Sequence, residues 1–231
     1  MGALRLLLAS QSPRRRDLVS LLGIPFDVTT SEVPELPAPA EPPAALVARL
    51  SQAKASDAAA KLAETPAVDH IIVVLGCDTV VSLDGHVLGK PSDAVEAVHT
   101  LQELRGRPHV VYTALTLLHP GTGSPLTDVA ATTVHMRDYA DDEVAAYVAE
   151  GNPLDKAGAY AIQHPTFRPA AGWDGCYANV VGLPLCHVAR CLGEWGHRLS
   201  VDLPAVCQAH LGQPCEVFGD VLAGRHQVMQ Q

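Results

Sequence analysis

Apolar residues along the chain follow two different periods, which predict an alternation of strands and helices. The largely apolar run over 4–9 is typical of a buried strand, and Ser12-Pro13 then supplies an N-cap and a first helical residue. Apolar residues at helical spacing predict a long helix over 44–63, after a proline-rich loop over 34–43. Strand, tight loop and helix in this order indicate an α/β protein.

The middle of the chain predicts the centre of a sheet. The β-branched run 71–75 is typical of a central strand, and the segment 80–88 predicts a hairpin that closes on Asp84-Gly85. The pattern predicts these later elements: a helix capped by Ser92 that ends near Leu104, strands over 109–119 and 127–136 joined through Pro120-Gly121, helices over 141–151 and 185–192, and one short helix beyond residue 195.

Composition and charge argue against several classes of protein. Gly and Pro, at 18 each, make up 36 of 231 residues, below the roughly 25–30% typical of a low-complexity chain. No run approaches the ~18 apolar residues of a membrane helix. Sixteen Lys and Arg against 25 Asp and Glu give a formal charge of −9, which disfavours nucleic acid as a partner. The first residues lack a signal-peptide pattern, which predicts a cytoplasmic protein.

Five of the six cysteines lie in the last quarter of the chain, close to several histidines. They are Cys176, Cys186, Cys191, Cys207 and Cys215. No two of them have the spacing of a CxxC pair, so we expect small buried apolar residues. A metal-binding C-terminal module is the alternative.

A candidate phosphate site follows the first predicted strand. Ser10 and Ser12 supply hydroxyl groups there, and Arg14 and Arg15 supply guanidinium groups at the start of the helix. The positive end of a helix favours an anion, and the arginine fork matches phosphate oxygens. The structural alternative is that Ser12 only caps the helix and the arginines face water.

An acidic residue follows the predicted central strand. Asp78 comes shortly after the buried run, and ligands gather at the carboxyl ends of strands in open α/β sheets. A carboxylate fixed there can activate water or bind a divalent metal. The alternative is a turn aspartate without a chemical role.

Three of the four lysines fall in segments with candidate chemistry. Lys54 continues the apolar stripe of the long helix, so it points toward the covered face. Lys90 lies in an otherwise apolar segment, which is not a Walker motif because Pro91 stands where Ser or Thr must ligate magnesium. Lys156 precedes several small residues and Gln163, whose amide could read the edge of a nucleotide base.

Five motifs in this order and spacing resemble the Maf family of nucleotide pyrophosphatases. They are Ser-Pro-Arg-Arg from Ser12, Asp-Thr-Val-Val from Asp78, Gly-Lys-Pro from Gly89, Asp-Lys-Ala-Gly-Ala-Tyr from Asp155 and Val-Val-Gly-Leu-Pro from Val180. The likeness covers about residues 4–192. It implies an elongated α/β fold with a mixed sheet and two lobes around a central cleft, similar to inosine-triphosphate pyrophosphatase. We expect this domain over 1–195 and a C-terminal extension of unknown role over 196–231.

The resemblance also implies a reaction, in which a nucleoside triphosphate and water give the monophosphate and diphosphate with the help of a divalent cation, Mg or Mn. Asp78 matches the family's proton acceptor. The remaining implied roles are phosphate binding by Ser10, Arg15, Lys54 and Lys90, metal binding by Glu32, Asp78 and Asp155, and base selection by Arg14, Thr79 and Gln163.

The three base-selecting positions are similar to those of the dTTP/UTP branch of the family. An amide and a hydroxyl suit the imide and carbonyls of a pyrimidine. The sequence departs from the family at 160–165, where Tyr-Ala-Ile-Gln-His-Pro replaces the usual Gly-Ile-Gln-Gly. Two other functions stay open: a pyrophosphatase for another modified nucleotide such as 7-methyl-GTP, and a non-catalytic nucleotide-sensing regulator of cell division. The resemblance further implies a homodimer, and the charge and the hydropathy predict that it binds neither nucleic acid nor a membrane.

Overall fold

The structure, a computed structural model, describes residues 4–63, 71–119 and 124–225. In chain order the strands and helices are β1 (Leu4–Ala9), α1 (Pro13–Ser20), β2 (Phe26–Thr29), α2 (Pro43–Ala63), β3 (Ile71–Leu83), β4 (His86–Leu88), α3 (Ala94–Leu104), β5 (Pro108–Leu118), β6 (Leu126–Met136), α4 (Asp141–Ala149), β7 (Ala170–Asp174), α5 (Tyr177–Val181), α6 (Leu185–Glu194), α7 (Leu203–Leu211) and α8 (Phe218–Leu222). Two short 3₁₀ turns, Asn152–Asp155 and Ala157–Ala159, follow α4.

These strands form one mixed sheet in the order β2-β1-β3-β5-β6-β7, with β4 paired to β3. β1 is parallel to both β2 and β3, whereas β3, β5, β6 and β7 pair antiparallel. The α/β class and the mixed sheet agree with the sequence analysis. The expected connection at Pro120-Gly121 lies outside the described residues.

The central strand β3 has a gap along one edge. β1 pairs with its first half as far as Gly76, and β4 pairs with it from Val81 onward. No strand of the described ranges borders that edge over 77–80. On the opposite edge β5 pairs with β3 over 74–82. Side chains from both faces of the strand therefore reach the gap.

The odd-numbered residues of β3 divide one face of the sheet into two lobes. In the first half of the strand, Val73, Leu75 and Cys77 join α1 and α6 in one hydrophobic cluster. In the second half, Val81 and Leu83 join α3 and α4 in another. The gap in the edge lies between these two clusters. This arrangement is the two-lobed fold that the resemblance implies.

The even-numbered residues of β3 face α2, and one glycine sets how closely the helix approaches. A Cβ atom on Gly76 would lie 2.2 Å from the backbone oxygen of Ser51 and 2.7 Å from the backbone nitrogen of Ala55. Only glycine leaves room for this contact. Because the helix backbone lies against the strand here, Lys54 reaches Asp78, two residues beyond the glycine.

Two predicted details of the helices differ from the structure. Asp93, not Ser92, caps α3, because its carboxylate accepts the Glu96 amide at 2.8 Å. Ser92 instead donates its amide and hydroxyl to the Glu96 carboxylate. Beyond residue 195 the chain forms two helices where one was expected, since Gly212 ends α7 in a left-handed conformation with φ of 64°.

The segment beyond residue 195 packs onto the first hydrophobic cluster. Leu203 at the start of α7 is buried in that cluster, and Val206, Cys207 and Leu211 lie against it. The division into 1–195 and 196–231 stays a prediction. No helix among the described residues is long and apolar enough to cross a membrane.

Candidate active site

A cleft opens where β1 ends and the edge of β3 is unpaired. It consists of two cavities of about 150 and 370 Å³, which share much of their lining. The residues common to both are Ser12, Arg14, Arg15, Glu35, Lys54, Lys90 and Asp155. Three elements of the fold and two loops therefore bring their charged groups to a single place.

A buried lysine joins two acids in this cleft. The Lys54 ammonium donates to Oδ1 of Asp78 at 2.6 Å, and Glu35 also accepts from it. Lys54 is only 7% exposed and Asp78 only 6%. A buried ammonium needs counter-charges, and these two carboxylates supply them. The prediction that Lys54 points toward the covered face is confirmed.

Glu35 keeps its negative charge despite partial burial. Desolvation raises its pKa, but the hydrogen bond from Lys54 and the charges of nearby cations outweigh this and leave the pKa below its usual value. Those cations are Lys54, Lys90 and Arg15. The acid therefore belongs to the same electrostatic unit as the phosphate-binding candidates.

The sequence analysis assigned this position to Glu32, which does not line the cleft. Alternate residues of an extended chain face opposite sides. Ser31 and Val33 are partly buried while Glu32 is exposed, and Ser31 and Glu35 line the cleft. The acid that this loop brings to the cleft is therefore Glu35 and not the predicted Glu32. The sequence signal for Glu35 is its position two residues after the apolar Val33, which places both on the same face of an extended chain.

Arg15 is held from three sides. Its Nη1 donates to the Ser10 hydroxyl at 3.2 Å, its Nη2 to the Thr79 hydroxyl at 2.9 Å, and its Nε to the backbone oxygen of Gly182 at 2.9 Å. Ser12 caps α1 by accepting the amide of Arg15 at 3.4 Å. The guanidinium keeps two further N–H groups that these bonds do not use. Its plane is therefore fixed before a ligand arrives.

The loop after α4 closes the other side of the cleft. The amide of Gly158 donates to the backbone oxygen of Gly89 at 3.0 Å, which ties this loop to the segment that carries Lys90. Asp155 is ion-paired with Lys156, and Arg14 lies 3.7 Å from it. Desolvation raises the pKa of Asp155, but these cations outweigh it and leave the pKa below its usual value.

Gln163 lines the cleft from the stretch that departs from the family pattern. Side chains hold this stretch in place. The Tyr147 hydroxyl accepts the Ala161 amide at 2.9 Å. Nδ1 of His164 accepts the amide of Phe167 at 3.1 Å, so its Nε2 donates to Glu150 at 3.0 Å.

Most residues predicted for the site meet in the cleft. Those that line it are Ser10, Arg14, Arg15, Lys54, Asp78, Thr79, Lys90, Asp155 and Gln163. Gly182 also lines it, 167 residues from its partner Arg15 along the chain. The sequence analysis placed Gly182 in one of the five motifs but gave its backbone oxygen no role.

The acids of the cleft suit a cation that shares its ligands with a bound phosphate. Asp78 and Glu35 both contact Lys54, so their carboxylates lie near each other. Magnesium is commonly held by one or two carboxylates together with substrate phosphates and water. Within the described ranges, no three His, Cys, Asp or Glu residues form a ready metal site.

The sequence comparisons agree with this geometry. A family model described as Maf-like protein matches residues 5–195. The chain belongs to the Maf family. Its relatives in that family include three proteins named dTTP/UTP pyrophosphatase. The one from Geobacter metallireducens is 42% identical over 192 residues, which cover 83% of this chain and 96% of the relative.

Two further Maf relatives carry the same name. The protein from Moorella thermoacetica is 44% identical over 192 residues, covering 83% of this chain and 95% of the relative. The protein from Thermomicrobium roseum is 42% identical over 217 residues, covering 92% of this chain and 95% of the relative.

Solved structures match this Maf chain more distantly. A nucleoside-triphosphatase, also named dITP/XTP pyrophosphatase, from Mycobacterium abscessus matches with 13% identity and a TM-score of 0.36, covering 58% of this chain and 75% of that protein. The Ham1 protein of Staphylococcus aureus matches with 11% identity and a TM-score of 0.39, covering 58% and 72%.

Proposed function

We propose that this Maf chain hydrolyses dTTP and UTP to the monophosphate and diphosphate. The observation that carries the proposal is the convergence of Asp78 with Lys54, Arg15 and Lys90 in one cleft. An acid that can accept a proton thus lies beside cations that can bind a triphosphate. Relatives 42–44% identical to this chain and named dTTP/UTP pyrophosphatase support the choice of substrate.

Asp78 acts as the general base in the proposed mechanism. Its Oδ1 accepts from Lys54, which fixes the carboxylate and leaves Oδ2 to accept a proton from water. The water oxygen forms a bond to the α-phosphorus while the bond from that phosphorus to the bridging oxygen breaks. Diphosphate leaves with the bridging oxygen, and the water proton passes to Asp78.

The cations of the cleft bind the triphosphate and the leaving group. Arg15 is oriented by protein contacts, so little reorganisation is needed when charge develops on the phosphate oxygens. Lys54 and Lys90 add positive charge from α2 and from the loop after β4. Ser10 holds Arg15 and lines the phosphate side of the cleft.

We include a divalent cation, Mg or Mn, in this proposal. Glu35, Asp78 and Asp155 are the acids of the described cleft that would hold it together with the phosphates. When bound, the cation would neutralise phosphate charge. Glu35 takes the place that the sequence analysis gave to Glu32.

The base lies on the Thr79 side of the sheet in this proposal. Thr79, Gln163 and Arg14 line the same cavity, and neutral hydrogen-bonding groups suit the imide of uracil or thymine. A homodimer and a cytoplasmic location also stay predictions; light scattering of the purified protein tests the dimer.

A panel of nucleoside triphosphates with diphosphate detection tests the function. We expect diphosphate release with dTTP and UTP at higher kcat/KM than with ATP, GTP, CTP or 7-methyl-GTP. Preference for 7-methyl-GTP would favour the alternative pyrophosphatase. Saturable nucleotide binding with no diphosphate release at high protein concentration would overturn hydrolysis and favour the regulator.

A further inference from the structure

A chain of hydroxyl groups runs from the cleft into the sheet. The hydroxyls of Thr79 on β3 and Thr113 on β5 lie 2.8 Å apart, and the two residues are direct cross-strand partners. Thr113 is fully buried, whereas Thr79 is partly exposed and lines the cleft. Thr113 donates onward to the backbone oxygen of Asn179 at 3.1 Å.

One direction of donation satisfies every group of the chain. A threonine hydroxyl has one proton to donate. When Thr113 donates to the carbonyl oxygen of Asn179, which cannot donate, its own oxygen accepts from Thr79. In this arrangement Thr79 donates to Thr113. Its oxygen also accepts from Nη2 of Arg15 at 2.9 Å.

A second set of hydrogen bonds holds Asn179 in place at the buried end of this hydroxyl chain. The Asn179 side-chain nitrogen donates to the backbone oxygen of Val111 at 3.0 Å and to the Thr132 hydroxyl at 2.9 Å. Thr132 donates to the backbone oxygen of Cys176 at 3.0 Å. Because carbonyl oxygens only accept, this buried network holds α5 and the Asn179 carbonyl in place for Thr113.

We propose that Thr113 is a positioning residue that makes Thr79 a pure hydrogen-bond acceptor toward the base, and thereby selects uracil and thymine over cytosine. This inference rests on the proposed function. The Thr79 proton is committed to Thr113, so only a lone pair of Thr79 is left to face a ligand in the cleft. Thr113 does not line the cleft and acts through Thr79 alone.

The chemistry of the bases makes this arrangement selective. Uracil and thymine carry an N–H at ring position 3, which an acceptor can bind. Cytosine has an unprotonated nitrogen there, which would face the lone pair of Thr79 without a proton between them. A site built to bind one pattern of donors rejects a base with the opposite pattern, because its polar groups are left unpaired.

Replacing Thr113 with valine tests the inference. Thr113→Val keeps the shape of the side chain but removes the acceptor that holds the Thr79 proton. That proton becomes free to turn toward the cleft and donate to cytosine. We expect the ratio of kcat/KM for UTP to kcat/KM for CTP to fall about tenfold, close to the value of one hydrogen bond. The change should arise mainly from kcat/KM for CTP.

The matched control is Thr113→Ser, which keeps the hydroxyl and removes only the methyl group. We expect this variant to keep the wild-type ratio. A valine variant that folds, by circular dichroism, and keeps the wild-type ratio would overturn the inference. An equal loss of the ratio in both variants would also overturn it, because packing of the methyl group would then carry the effect.

A measurement on the unaltered protein covers the case in which Thr113→Val does not fold. The 2-pyrimidinone riboside triphosphate has an unprotonated nitrogen at ring position 3 and no exocyclic group at position 4. Wild-type kcat/KM for this analogue should be at least about tenfold below that for UTP. Equal values would overturn the inference. Failure of the proposed function is a different outcome, in which wild-type protein releases no diphosphate from UTP or dTTP.

Discussion

Two parts of the molecule hold buried ionisable groups, and they do so in opposite ways. In the cleft, the ammonium of Lys54 lies between the carboxylates of Asp78 and Glu35. In the C-terminal quarter, cysteines surround a small apolar cavity of about 20 Å³. Burial raises the pKa of Cys176 and Cys186 to about 12. The buried charges of the cleft are paired with opposite charges, whereas burial favours the neutral form of these two thiols.

The difference shows that an opposite charge nearby decides whether a buried group can do ionic chemistry. Residue type alone suggested a site in both regions. Thiols bind metals and attack substrates as thiolates, and burial without a cation suppresses the thiolate. Lys54 keeps its place in the cleft because two acids balance it.

Of the changes proposed here, removal of the Lys54 ammonium should have the largest effect on stability and activity. Lys54→Met leaves Asp78 buried without its ion-pair partner, and such changes cost about 3–5 kcal/mol of stability. We expect a loss of that size in the free energy of unfolding, measured in urea, together with loss of diphosphate release. Lys61→Met is the matched control, because Lys61 lies on the same helix but is exposed. Equal stability of the Lys54 variant and the wild type would contradict the role of the ion pair.

Removing the charge of the base should abolish turnover but preserve the fold. Asp78→Asn leaves Lys54 paired with Glu35, so the cation is still balanced. We expect kcat for UTP to fall ~100-fold or more, the size of a general-base contribution. Asp84→Asn, at the turn between β3 and β4, serves as a control with an exposed acid. Near-normal kcat in Asp78→Asn would reject the assignment of the base.

A buried histidine extends the comparison to pH. Burial, with a smaller effect from the charge of His135, lowers the pKa of His109 to about 4. Between the ordinary pKa of 6.5 and this value, the unfolded chain binds more protons than the folded one, so stability falls as pH falls. We expect His109 to account for a loss of about 2 kcal/mol between pH 8 and pH 5.

Urea unfolding at the two pH values checks this expectation. His109→Gln keeps a polar group near the Tyr160 hydroxyl, which lies 2.7 Å from Nε2, but cannot titrate. This variant should lose less stability on acidification than the wild type. His99→Gln, at an exposed histidine of α3, should behave like the wild type. The same pH dependence in His109→Gln and the wild type would contradict the pKa shift.

Changes among the cysteines should have the smallest effect. Burial raises the pKa of Cys207 to about 11, and Cys215 lines the same apolar cavity. We expect the double variant Cys207→Ser/Cys215→Ser to keep kcat/KM for UTP within about twofold, because neither residue lines the cleft. Metal analysis of the wild-type protein should find no stoichiometric zinc. Stoichiometric zinc that disappears in the double variant would support the alternative of a metal-binding C-terminal module.

The sequence predicted the parts of this site that depend on local patterns. Lys54 follows from the helical period of α2, and the cap at Ser12 follows from the Ser-Pro pair. The apolar pattern predicted a strand that ends at Leu75, with Asp78 shortly beyond it. In the structure the strand continues to Leu83, so Asp78 and its neighbour Thr79 face opposite sides of the sheet.

Other parts depend on contacts between distant segments, which local patterns do not encode. β2 has only four residues, of which two are exposed, so its pattern is too short to recognise. The partner of Arg15 at Gly182 is a backbone oxygen, and the partner of Thr79 at Thr113 belongs to another strand. Glu35 and Glu32 lie on opposite faces of the same loop. Val33 decides which face points into the cleft, because it packs against α2.

The central claim is that Asp78 directs water to the α-phosphorus of a pyrimidine triphosphate held by the cations of the cleft. Hydrolysis of UTP in ¹⁸O-labelled water, followed by mass spectrometry of both products, tests it directly. The account predicts one labelled oxygen in UMP and none in diphosphate. Label in the diphosphate, or formation of UDP and phosphate, would contradict it.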